Sequence, residues 1–126
     1  MKRLIGALVI LVIVIGIGVT GFIINTKTAD TVIEMVETSK KYAFDGNIQD
    51  AKKELSKAID EWEKNMETML LFVSHGKLDQ IEEAINIANA YIEHNELPLF
   101  YAECQRASIL LDHFEGVEYV SINNIF

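Results

Sequence analysis

The chain opens on an unbroken apolar run and then settles into a repeating three-and-four spacing of apolar residues. Residues 4–24 read LIGALVILVIVIGIGVTGFII, 21 positions without a charge. At about 1.5 Å per helical residue the run spans roughly 30 Å, the thickness of a bilayer's hydrocarbon core. It reads as a transmembrane helix. A cleaved secretory signal is the competing reading, because Met1, Lys2 and Arg3 form a basic n-region. The run is longer than the ~7–15 residues of an ordinary h-region, however, and Gly18 and Thr20 make a poor cleavage site. No cysteine stands at its end, which excludes lipoprotein processing.

Beyond the run, residues 28–42 carry Val32, Ile33, Val36 and Tyr42 among charges and continue as a helix until Asp45-Gly46-Asn47 breaks it. Glycine adopts the left-handed conformation that ends a helix without a Cβ penalty, so a reversal here has a mechanism. Ala51, Leu55, Ile59, Trp62, Met66, Met69 and Val73 form the next seam, with Glu54, Lys57, Asp60, Glu61, Glu63, Lys64 and Glu67 on the opposite face. That alternation predicts an amphipathic helix with Trp62 as a core anchor. After Ser74-His75-Gly76-Lys77 a third seam runs through Leu78, Ile81, Ile85, Ala88 and Ile92. Asn95 suits the left-handed turn that follows, and Pro98 suits the first turn of a fourth helix. That helix carries Phe100, Cys104, Ala107, Leu111 and Phe114 and is predicted to end at Gly116.

Short connections between helices imply antiparallel neighbours. The expected fold is therefore all-α: an N-terminal transmembrane helix, two antiparallel helical hairpins, and a short C-terminal strap. Residues 1–25 are the n-region and anchor, 26–116 the helical domain and 117–126 the tail. The hairpins align weakly with each other at an offset of 49 residues, pairing Tyr42 with Tyr91, Gly46 with Asn95, Leu55 with Cys104 and Trp62 with Leu111. Gly46, Ala51, Leu55 and Ala58 have a spacing similar to tetratricopeptide repeats, which predicts that style of close packing. The aromatic and proline positions that complete such a repeat are missing. Leu55, Ile59, Trp62, Ile85, Leu111 and Phe114 are the expected core anchors. The apolar tail, VEYVSINNIF, is read as a strap packed along the helices, against the alternative of a free peptide bound by a partner.

Charge adds direction and excludes partners. Lys2, Arg3 and the α-amino group flank the run on one side, against Lys27 and Asp30 on the other. Positive charge resists translocation, so the N-terminus is expected in the cytoplasm and the helical domain outside the cell membrane. Lipid is the expected partner of residues 4–24. Gly16 and Thr20 give the small-xxx-small step that seats a second membrane helix, which raises homo-oligomerisation as a further expectation. Net charge is −8 over 126 residues. So acidic a chain is repelled by phosphate backbones, and nucleic acid is excluded as a partner.

Candidate chemistry is sparse. The single cysteine, Cys104, forms no internal disulfide and is read as core. Of the three histidines, antiparallel packing brings His75 and His113 to the membrane end and leaves His94 at the other. Asp79 and Glu82 share a helical face with His75, and Asp112 and Glu115 flank His113. His75, Asp79, Glu82 and His113 are thus a candidate metal site. The helix dipole offers the plainer account, since it favours carboxylates near a first turn and histidine near a last one. No phosphate loop, dinucleotide fingerprint, nucleophile elbow or zinc-protease motif is present, so neither a cofactor nor catalysis is expected.

The stretch WEKNMETMLLFVSHGKLDQIEEAI, with Asp112-His113 and the ending Asn124-Ile125-Phe126, resembles the domain of unknown function 4363 family. These are short single-span proteins of endospore-forming Gram-positive bacteria. Trp62, Phe72, His75, Asp79, Glu82 and His113 fall on its pattern, whereas Gly76 stands where that pattern has an acidic residue. The resemblance implies a single span and a helical domain and carries no activity with it. An anchor with helical hairpins and no catalytic apparatus leads to the expectation of a membrane-tethered module that binds another protein. A metal- or ligand-binding sensor is the alternative.

Overall fold

The computed structural model describes residues 1–71 and 73–125, with side chains described as far as His113. Four helices follow one another: α1 (Lys2–Phe44), α2 (Ile48–Met69), α3 (His75–Glu93) and α4 (Leu97–Ile125). There is no strand among the described residues.

The membrane-type run and the first bundle helix are one element. α1 continues for 43 residues because nothing between Ile24 and Phe44 interrupts it: there is no proline, and its glycines all lie in the apolar run. Its first half stands clear of the other helices, and its buried stripe begins at Gly21 and runs through Asn25, Thr28, Ala29, Val32, Val36, Ser39 and Ala43. Steps of three and four place all of these on one face. α1 is long and apolar enough to cross a membrane.

Two turns of the same construction end α1 and α3. The Gly46 N–H donates to the Ala43 carbonyl at 3.2 Å and the Asn47 N–H to Tyr42 at 2.8 Å, with Gly46 at φ 86°. In the second turn Asn95, at φ 57°, donates to Ile92 at 3.2 Å and Glu96 donates to Tyr91 at 2.9 Å. Both are Schellman closures, which satisfy the last carbonyls of a helix and reverse the chain.

α1 lies against α2 and α4, and α3 against α2 and α4, so the helices close a ring. Glu37 meets Ser108 and Lys40 meets Gln105, and these opposed directions of numbering show that α1 and α4 are antiparallel. Tetratricopeptide-like stacking would set α1 beside α3. Those two make no contact among the described residues. Closing α1 onto α4 gives each helix two neighbours and covers all four apolar stripes, which an open stack of two hairpins would not do.

The core contains Trp62, Leu55, Ile85 and Leu111 as expected, together with Phe100, Leu78, Ile81, Ile92 and Met69. Ile59 is only partly buried, and Ala58 takes the central place instead. A small residue there lets helices approach closely, and two turns away the Ser39 hydroxyl reaches across to the Ala51 carbonyl at 2.6 Å. The Phe114 side chain lies outside the described residues. α4 does not end at Gly116: it continues to Ile125 in place of the expected strap. A helix interior tolerates glycine at a cost of about 1 kcal/mol, and no proline follows to enforce a stop. How the tail's side chains pack lies outside the described residues.

The 49-residue offset holds at the level of burial. Ala29, Val32, Val36, Ser39 and Ala43 of α1 correspond to Leu78, Ile81, Ile85, Ala88 and Ile92 of α3. Ala51, Leu55, Ala58 and Trp62 of α2 correspond to Phe100, Cys104, Ala107 and Leu111 of α4. Every one of these residues is buried. The two halves are copies in packing, and exchanging them turns the α1/α4 seam into the α3/α2 seam.

Candidate functional site

The α1/α4 seam is held by polar groups at its surface. Glu37 accepts from the Ser108 hydroxyl at 2.8 Å, the Lys40 ammonium donates to Gln105 at 3.1 Å, and Glu37 and Lys40 pair along α1 at 3.3 Å. Directly on this clasp lies a groove of about 800 Å³ lined by Glu34, Glu37, Lys40, Lys41, Phe44, Tyr101 and Gln105. Its end is aromatic. Phe44 is the last residue of α1 and is 81% exposed, while Tyr101 is half-buried with its ring tilted 55° against that of Phe100 at 5.6 Å. A phenylalanine this exposed contributes almost nothing to the core and leaves apolar surface in water.

Comparison of the two halves shows that packing does not require this aromatic end. The offset carries Phe44 onto Glu93 and Tyr101 onto Lys52, and on the α3/α2 seam those two form an ion pair at 3.9 Å. The same place in the same architecture is thus occupied by charge on one side and by aromatic surface on the other. The groove escapes sequence reading because Phe44 falls at a helix end, outside every apolar seam. The internal alignment is the signal that finds it.

Under the seam sits Cys104, fully buried. Loss of solvation pushes its thiol up to about 12, which keeps it neutral and unreactive. It belongs to the core.

The histidine-carboxylate set does not assemble. His75 opens α3 and Asp79 lies a turn later, both exposed, with Glu82 half-buried beyond them and His113 exposed on α4. No three His, Cys, Asp or Glu side chains among the described residues come together to hold a metal ion. The reason is angular: Asp79 is one residue past buried Leu78 and His113 two past buried Leu111, turns of about 100° and 200° off the packed faces. His75 and His113 are near the same end of the bundle, both at the surface, without the third ligand side chain that a coordination sphere needs. Ser74, at the N-cap of α3, makes no side-chain capping bond.

The chain matches a family described as a domain of unknown function (DUF4363) over residues 22–125. No curated protein and no solved structure matches it. The matched region begins one residue after Gly21, where α1 enters the bundle, and it includes α2, α3 and α4. A match over most of the sequence that coincides with the packed bundle shows that the chain belongs to the DUF4363 family.

Proposed function

We propose that this protein is a membrane-tethered interaction module that offers the α1/α4 groove to another protein. In this reading residues 4–24 cross the cell membrane, Lys2 and Arg3 hold the N-terminus in the cytoplasm, and the bundle of two antiparallel hairpins stands outside. It performs no catalysis.

The observation that supports it best is the contrast between the two seams. Phe44 and Tyr101 stand where the other half has Glu93 and Lys52, so an aromatic surface has been placed where the fold is satisfied by an ion pair. Exposed aromatic residues rimmed by charges of both signs are the usual makings of a protein-binding hot spot. Position supports the reading as well. Phe44 is twenty residues beyond Ile24 on a continuous helix, about 30 Å from the end of the apolar run, so the groove is held away from lipid.

Photo-crosslinking in intact cells is the test. A photoreactive side chain at Phe44 is expected to capture a discrete protein, and one at Ile109, which is exposed elsewhere on α4, is not. Capture no different from background at Phe44, or equal capture at both positions, would count against the groove. A reporter enzyme fused to the C-terminus is expected to be active only outside the cytoplasm, and activity in the cytosol would reverse the orientation.

A further inference from the structure

The three connections between helices differ in a way that the bundle alone does not explain. Asp45-Gly46-Asn47 and His94-Asn95-Glu96, at the end far from the apolar run, are polar, as connections in water are. The connection at the near end, residues 70–74, is apolar at four of its five positions, and no charge lies between Glu67 and Lys77. Leu71 is 78% exposed there, while Leu70 and Val73 are partly buried against the core.

Register places this connection along α1. The bond from Ser39 to Ala51 fixes α1 against α2. Eighteen residues back along α1 is Gly21 and eighteen on along α2 is Met69, both buried and both about 27 Å from that bond. Leu70 and Leu71, which follow Met69 directly, therefore stand about level with residues 19–20 of α1. That level is four to five residues inside the apolar run, about 6–8 Å short of its end at Ile24. α1 is unbroken here, so wherever the run enters a bilayer the connection enters with it.

We propose that the connection between α2 and α3 is a second lipid-contact site, in which Leu70, Leu71 and Val73 sit in the bilayer's boundary region beside the point where α1 emerges. This rests on the reading of residues 4–24 as a membrane anchor. It makes the bundle a seated body with a set orientation rather than a domain swinging on a tether. Lipid is the occupant because the apolar connection stands level with the anchor, carries no formal charge of its own, and is the one connection at that level among the described residues.

The test uses the full chain in phosphatidylcholine vesicles with one environment-sensitive dye, carried at Leu71→Cys, Phe44→Cys or Ile13→Cys in a Cys104→Ala background. Circular dichroism first establishes that each chain is helical. A parallel set keeps Cys104, whose burial shields it from the dye, in case its removal disturbs folding. With brominated phosphatidylcholine, emission is expected to be lost at Ile13 and Leu71 and retained at Phe44. Loss at Ile13 without loss at Leu71 overturns the second contact and leaves the anchor standing. Retention at Ile13 removes the anchor and this proposal together. Loss at Phe44 as strong as at Leu71 also overturns it, because the bundle then lies flat on the bilayer.

Discussion

Single side chains here fall into those that hold the bundle and those that do not. Trp62 is the largest fully buried side chain, and Trp62→Ala is expected to cost about 3–5 kcal/mol, since the cavity adds to the lost transfer energy. Urea unfolding of the detergent-solubilised chain measures it. Ser39→Ala removes only the hydrogen bond to Ala51 and is expected to cost about 0.5–1.5 kcal/mol in the same experiment. Cys104 gives a pH-dependent signature. Its thiol ionises near its ordinary value of 9.0 in the unfolded chain and at about 12 in the folded one. Between those values unfolding releases a proton that the folded state keeps. Stability is therefore unaffected by this group below about pH 9 and falls above it by about 1.4 kcal/mol per pH unit. Cys104→Ala is expected to flatten that alkaline slope by about this amount, and an unchanged slope would show that the thiol is not desolvated.

At the scale of elements, the apolar seams of α3 and α4 are legible in the amino-acid sequence because each carries its buried residues at clean steps of three and four. Leu78, Ile81, Ile85, Ala88 and Ile92 are all buried, as are Phe100, Cys104, Ala107 and Leu111. The two left-handed turns are legible for the same reason, since Gly46 and Asn95 are the residue types that tolerate positive φ. The inner face of α1 is much less so. Asn25, Thr28 and Ser39 are buried although no hydropathy pattern would place them inside, because close approach of helices favours small or hydrogen-bonding side chains over large apolar ones. The end of α4 shows the opposite limit. Glycine is a permissive signal, and at Gly116 the helix passes through it. Gly116→Ala is accordingly expected to stabilise the chain by about 0.5–1 kcal/mol, by restricting the unfolded chain at a helical position. Destabilisation in thermal unfolding would mean that the residue terminates a helix after all.

For the whole molecule, the near-duplicate halves allow the groove to be separated from the fold. Phe44→Glu with Tyr101→Lys copies the Glu93 and Lys52 pair onto the other seam. Exposed ion pairs contribute about 0–1 kcal/mol, and the loss of the half-buried Tyr101 ring from Phe100 costs about 1–2 kcal/mol, so the fold is kept while photo-capture of a partner beside the altered groove is lost. Retained capture would move the binding surface elsewhere. Because the histidines and carboxylates are dispersed, Zn²⁺ and Mn²⁺ are expected to leave the thermal transition where it is, with or without His75→Ala and His113→Ala. A saturable rise abolished by the double substitution would restore a metal site.

Local chemistry determined the elements of this protein: a long apolar helix, seams with helical spacing, and turns built on glycine and asparagine. These depend on interactions within a few residues, which a linear pattern records directly. It took the packed fold to show that α1 closes on α4, that the metal candidates do not gather, and that Leu70 and Leu71 stand level with the apolar run. Those outcomes depend on register and rotation between helices far apart in the chain, where a shift of one residue turns a side chain by about 100°. The repeat of 49 residues lies between the two cases. It is faint in residue identity and plain in burial, because packing selects the size and placement of side chains more strictly than their names.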